Sequence, residues 1–383
     1  MWILGVVSGV LLFLFLYFRW KFKFWKDQPV FHVYDYWWYI VPPGIINTSL
    51  PPRNKYVNLY AIETIPIHRL TISETNQFIE FIKNNYRLKN QKVQSFTPQL
   101  NDIIPYFQGN TQDCFLTCYE KRGGWVSVMT SRPLVAHLHN EKMSIYYVDY
   151  LCVDRDMRNR GIAQEMIQTH EYNQRRENRQ IYVSLFKREE KLTGIVPITA
   201  YTASVYDMIG WSKHVDMEKT NISNTLINVT KCSKGNMHVW IEAYNQLSYE
   251  FELSITPAIS NLLFLIASEN VYMYYLIKEE SVQGFYFFRR TCAWIQGTQF
   301  ISLFASYCSA LCSQSEFTYG YEIALSSAVA HKDQHFRYLV LEDISDNHYI
   351  KPVSEIYRSI PMAYFFYNFA IGTIPSAKVI VVS

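Results

Sequence analysis

Residues 144–176 constrain the architecture of this chain more than any other stretch. An apolar run over residues 144–153 predicts a strand, and the polar segment Asp154-Arg155-Asp156-Met157-Arg158-Asn159-Arg160-Gly161 cannot continue it. Residues 162–176 predict a helix, and residues 181–186 predict another strand. Strand, turn, helix, strand commits this region to a mixed α/β layer. The turn carries Arg158-x-x-Gly161-x-Ala163. A pyrophosphate needs several backbone N–H donors converging on one point, and a helix N-terminus supplies unpaired donors with a favourable dipole. Gly161 lets the backbone approach closely, Ala163 leaves room, and Arg158 and Arg160 can add positive charge.

The remaining chain repeats this alternation. Before the turn, residues 115–118, 125–129 and 134–138 predict short strands. A helix is expected from Ser73, as its cap, to residue 86, with Glu74 in its first turn and Phe78, Ile79 and Ile82 on one face. Residues 212–236 are rich in Ser, Thr, Asn and Lys and suggest a joint between halves. Beyond it, residues 271–276, 282–289 and 300–308 predict strands, 321–332 a helix, and 338–341, 364–369 and 378–382 further strands. Two halves of comparable order suggest a doubled α/β fold with a mixed sheet. The expected divisions are residues 1–27, 28–215 and 216–383. Residues 29–53, including Tyr36-Trp37-Trp38-Tyr39, are expected to form an extended arm on the body.

Composition excludes several classes. Of 383 residues, 49% are hydrophobic and 18% charged, enough to bury a large core. A net charge of +3 with no long basic run argues against nucleic acid. Seven cysteines form no CxxC pair, which fits a reducing compartment rather than a disulfide framework. Residues 2–18 are almost wholly apolar and would rise about 26 Å as a helix, against a hydrocarbon core of about 30 Å. Arg19, Lys21, Lys23 and Lys26 follow, with Trp20, Phe22, Phe24 and Trp25 among them. The expectation is a single-pass membrane anchor with the body in the cytosol. In that orientation the sequons at Asn47, Asn221 and Asn228 go unused. His331 with His335, and His137 with His139, lack the further ligands a metal site needs. No metal is expected.

Six pieces of the chain together resemble the eukaryotic N-myristoyltransferases. Phe24-Trp25-Lys26-Asp27-Gln28-Pro29-Val30 is similar to that family's F-W-x-T-Q-P-V. Tyr150-Leu151-Cys152-Val153 is similar to F-L-C-V, and Arg158-Asn159-Arg160-Gly161-Ile162-Ala163 to R-S-K-R-x-A. The R-x-x-G-x-A form is also that of the coenzyme A loop of the acetyltransferase (GNAT) superfamily. Leu339-Val340-Leu341-Glu342-Asp343 resembles N-A-L-D-L, Tyr364-Phe365-Phe366-Tyr367-Asn368 resembles Y-Y-L-Y-N, and Ser376-Ala377-Lys378-Val379 resembles A-E-K-V. Their order and spacing match over about 360 residues.

The resemblance implies two fused GNAT-like halves acting as a monomer. It implies a transfer of myristate from myristoyl-CoA to the N-terminal glycine amine of a protein or peptide. By position, Lys23, Phe24, Trp25, Cys152, Val153 and residues 158–163 (Arg158, Asn159, Arg160, Gly161, Ile162, Ala163) would hold the acyl-CoA. Tyr150 and Leu151 would offer backbone amides to the thioester oxygen, and the strand there could bulge to aim them inward. The carboxylate of Ser383 would be the general base. An ammonium must lose a proton before it attacks, and the apolar run 379–382 could bury that carboxylate and raise its pKa. The departures fall mainly on the peptide side. Residues 84–92 carry Arg87, Lys89 and Lys92 where the family is acidic. Arg358-Ser359-Ile360-Pro361-Met362 stands where it has G-x-G-D-G, and Tyr147 and Asp149 stand where it has glutamate and asparagine. The alternatives are an acetyltransferase using only the first half, and an inactive homologue that binds acyl-CoA or a protein.

Overall fold

The computed structural model describes residues 2–86, 94–121, 123–139, 141–189, 194–209, 227–295, 297–330, 336–352 and 354–383. One large mixed sheet dominates it. Strand Gly124–Leu138 turns back antiparallel into Glu141–Val153. Helix Ile162–Glu177 then crosses over to Val183–Glu189, which pairs parallel with Glu141–Val153. The second half repeats the unit. Ser281–Ile295 turns into Thr298–Cys308, helix Gln314–Val329 crosses over, and Phe336–Glu342 returns parallel.

The halves exchange strands. Thr199–Asp207 pairs with Phe336–Glu342, while Ile356–Tyr367 lies between Val183–Glu189 and Thr199–Asp207. Near the chain end, Val379–Val381 pairs parallel with Leu253–Thr256, which is itself paired to Gly124–Leu138. One apolar core gathers Leu134, Ile145, Leu185, Leu253 and Ile255, and another surrounds Trp240, Phe285 and Phe287. Alternate residues of a strand face opposite sides, and a central strand such as Ser281–Ile295 is buried on both: Phe285 and Phe287 enter one core, Tyr286 and Phe288 another.

Element boundaries differ where a cap decides them. The helix expected to begin at Ser73 is Ile72–Asn85. Its cap is Thr71, whose hydroxyl accepts the Glu74 N–H while the Glu74 carboxylate accepts the Thr71 N–H. The helix expected over 321–332 begins at Gln314 for the same reason, with Ser313 and Glu316 forming the box. Within the polar stretch 212–236, Ile227–Lys231 forms an edge strand on Val271–Lys278, and residues 212–226 lie outside the described residues. The basic positions Arg87, Lys89 and Lys92, and also His331 and His335, lie outside them as well.

The membrane expectation is overturned. Among the described residues, no helix is long and apolar enough to cross a membrane. The N-terminal segment does form a helix, Trp2–Lys21. Its C-terminal part packs on the chain's own body: the Phe15 ring meets Tyr34 edge-on at 5.2 Å, and Phe18 lies against Gly194, where an added Cβ would come within 2.7 Å of it. Trp20, Phe22, Phe24 and Trp25, which the sequence suggested for a lipid interface, line a cavity instead.

Candidate active site

The parallel pairing of Glu141–Val153 with Val183–Glu189 covers only Ile145, Tyr146 and Tyr147. Beyond Tyr147 the two strands part. On one side of the gap is a cavity of about 760 Å³, and on the other a cavity of about 370 Å³. Tyr86, Val148, Asp149, Tyr150 and Lys187 line both.

A bulge lies at this gap. Val128 faces Cys152 and Thr130 faces Asp149, so Met129 alone stands against both Tyr150 and Leu151. Tyr150 takes a left-handed φ of 49°, which is costly for a bulky residue. Flanking hydroxyls pin the distortion, with Ser127 donating to the Cys152 carbonyl at 2.8 Å and Thr130 to the Asp149 carbonyl at 3.1 Å. The Tyr150 N–H does not point into empty space; it donates to Asp149 Oδ1 at 2.8 Å.

The larger cavity is lined by Lys23, Phe24, Trp25, Tyr150, Leu151 and Ala163. The indole of Trp25 stacks on Phe186 at 5.7 Å. Helix Ile162–Glu177 contributes His170 and Glu171 to the same wall. Burial pushes His170 down to about 4, so its ring is neutral at pH 7. Burial pushes the Glu171 carboxyl up to about 7, with Arg175 opposing the shift.

An adjoining cavity of about 550 Å³ gathers Cys152, Val153, Arg158, Asn159, Gly161 and Ile162. Gly161 caps the helix with φ +81°, and Asn159 is left-handed too, at 62°. These two positions fold the turn back and bring the start of the helix, Ile162, Ala163 and Gln164, to the cavity wall. The guanidinium of Arg158 is tied to backbone, donating to the carbonyls of Val153 and Asn85. Exposed Arg160 donates to the Asp156 carbonyl. The structure therefore groups every residue the sequence suggested for acyl-CoA except Arg160 around two neighbouring cavities.

The smaller cavity contains Ser383, only 3% exposed. The Val382 N–H, donating to the Ile255 carbonyl, holds the strand that delivers it. Arg289 Nη1 donates to the Ser383 backbone carbonyl oxygen at 3.2 Å. Arg289 Nη2 also meets Glu342 Oε1 at 2.5 Å, while Lys187 and the Tyr201 hydroxyl donate to Glu342 Oε2 at 2.7 Å each. Burial alone would push the Glu342 carboxyl up. The charges of Lys187 and Arg289, with the hydrogen bonds of Lys187 and Tyr201, hold it down at about 2. Glu342, Arg289, Lys187 and Tyr86 went unnoticed as site residues in the sequence. The available signal was charge inside apolar strands: Lys187 after Ser-Leu-Phe, Arg289 after Phe-Tyr-Phe-Phe, and Glu342 after Leu-Val-Leu. Among the described residues, no group of three or more His, Cys, Asp or Glu is placed to hold a metal ion.

No family model matches this chain, and no curated protein matches it in sequence. The architecture is a mixed α/β fold built on one large mixed sheet. Among solved structures it is similar to Saccharomyces cerevisiae N-myristoyltransferase with bound myristoyl-CoA, at TM-score 0.71 and 12% identity, covering 94% of this chain and 99% of that one. It is also similar to the same yeast protein with myristoyl-CoA and inhibitors, at TM-score 0.74 and 13% identity, covering 94% and 96%. At such identities the likeness is one of fold. The chain has the N-myristoyltransferase fold over nearly its whole length.

Proposed function

We propose that this protein transfers a long-chain acyl group, of the myristoyl class, from acyl-coenzyme A to the N-terminal glycine amine of a protein or peptide. The observation that carries this reading is the meeting of two cavities at the Tyr150–Leu151 bulge, with the phosphate-binding type of turn on one side and Ser383 on the other. The fold shared with proteins solved with myristoyl-CoA bound supports the choice of donor. In this reading the pyrophosphate lies against residues 158–163, held mainly by backbone amides, because Arg158 is already bonded to carbonyls. Lys23, Phe24 and Trp25 cover the coenzyme, and Cys152 and Val153 line its path. The acyl chain enters the larger cavity.

The thioester oxygen gains negative charge as the amine attacks, and the bulge amides of Tyr150 and Leu151 stabilise it. The carboxylate of Ser383 takes a proton from the ammonium before attack. The amine attacks the thioester directly, with no acyl-enzyme intermediate. The protein, incubated with labelled myristoyl-CoA and glycine-initiated peptides, forms acyl-peptide. The same peptides with blocked amines form none. Removing Ser383, or extending the chain beyond it, abolishes turnover; an unchanged rate would reject the base role.

A further inference from the structure

Converting an ammonium into an amide removes two protons from nitrogen, and the reading above assigns a receiver to only one. Asp149 is placed to receive the other. It belongs to the wall shared by the acyl-side and Ser383-side cavities. It directly precedes left-handed Tyr150, and its Oδ1 already holds the Tyr150 N–H at 2.8 Å. One of the two amides assigned to the thioester oxygen is thus occupied by a carboxylate of the same strand. Arg132, Arg289 and Lys187 favour the charge of this carboxylate, and the phenols of Tyr86, Tyr106, Tyr147 and Tyr150 stand around it. Burial outweighs the cations and pushes the carboxyl above the usual range, which makes it a better proton acceptor than an exposed aspartate.

We propose that Asp149 is a second catalytic base, resting on the acyltransferase reading, which takes the proton lost as the carbon–nitrogen bond forms. The neutral amine's lone pair forms the C–N bond at the thioester carbon. The N–H bond of the resulting cationic nitrogen breaks and an O–H bond forms on Asp149. The C–S bond then breaks, its electron pair leaving on the coenzyme A sulfur; the proton on Asp149 passes to that sulfur, and the proton on Ser383 is released to solvent. A protonated Asp149 is a weaker acceptor than a carboxylate, so its protonation also loosens its hold on the Tyr150 N–H just as the oxygen beside that amide becomes negative.

The test uses single-turnover kinetics of the full chain with myristoyl-CoA and a glycine-initiated peptide. Asp149→Asn keeps an oxygen for the Tyr150 N–H but removes the base. It should slow acyl transfer by about 10²- to 10⁴-fold while leaving acyl-CoA affinity unchanged. Asp149→Ala should be equally slow and should recover rate with added formate, which a packing defect would not do. The proposal is overturned if Asp149→Asn stays within about threefold of wild type, or if formate fails to rescue Asp149→Ala with acyl-CoA affinity intact. A wild-type protein that forms no acyl-peptide overturns the acyltransferase reading itself, and the base role with it.

Discussion

Replacing Glu342 with Gln should destabilise the protein far more than a typical substitution, for a reason visible in its contacts. Glu342 is 3% exposed and is shared by two cations, Lys187 at 2.7 Å and Arg289 at 2.5 Å. Glutamine keeps an oxygen for the Tyr201 hydroxyl but leaves both cations in the wall without that anion. Breaking a buried pair in this way costs about 3–5 kcal/mol. The titration of Glu342 gives the same scale. Its carboxyl is lowered from 4.5 to about 2, and at about 1.4 kcal/mol per pH unit that displacement is worth about 3 kcal/mol. With an unfolding entropy of about 2.1 cal/mol/K per residue, 383 residues give about 0.8 kcal/mol/K, so the midpoint should fall by about 4–6 °C. A lowered carboxyl contributes stability above its unfolded pKa and loses it as the pH falls toward its folded one. The gap between wild type and Glu342→Gln in scanning calorimetry should therefore be full at pH 7 and should narrow below about pH 4.5. A midpoint within about 1 °C of wild type at pH 7, or a gap that does not narrow in acid, would refute the assignment of this network.

Three further outcomes follow from the same structure. Glu171→Gln should flatten part of the pH dependence of stability. A buried carboxyl raised from 4.5 to about 7 contributes stability that is complete below about pH 4.5 and lost as the pH climbs through about 7, and a denaturant titration series should show up to about 3 kcal/mol of that loss vanish in the variant. Gly161→Val forces a β-branched residue to φ +81°, so acyl-CoA affinity measured by calorimetric titration should fall by about 10-fold or more, from a strain of order 1–3 kcal/mol. A fragment ending at residue 212 should fail to fold by circular dichroism. Thr199–Asp207 would lose both its strand partners, Ile356–Tyr367 and Phe336–Glu342, and a folded, active fragment would restore the half-chain acetyltransferase alternative.

The parts of the site that were legible in the sequence are those written in local grammar. The turn at residues 158–163 needs left-handed backbone beside a helix start, and Asn159 and Gly161 announce it within a few residues. The bulge at Tyr150 and Leu151 follows from the same strand end. The caps at Thr71 and Ser313 are written locally too, each with a glutamate three residues on. The Glu342 network could not be read this way. Its bonds to Lys187 and Arg289 join positions 155 and 53 residues apart: the exchange of strands between the halves brings Lys187 to Glu342, and pairing across Thr298–Cys308 brings Arg289. The N-terminal helix failed for a related reason. Its apolarity was plain, but apolarity does not say what will cover a surface, and Phe15 and Phe18 find part of their cover on Tyr34 and Gly194.

The most direct test is a crystal structure of the protein with a non-hydrolysable ketone analogue of myristoyl-CoA, in which a methylene group separates the sulfur from the carbonyl. The account predicts the coenzyme pyrophosphate on the amides of residues 161–163, the chain in the cavity beside Trp25, and the carbonyl oxygen within hydrogen-bond reach of the Leu151 amide. An analogue bound elsewhere, or one whose carbonyl lies away from the bulge and the Ser383 cavity, would contradict it.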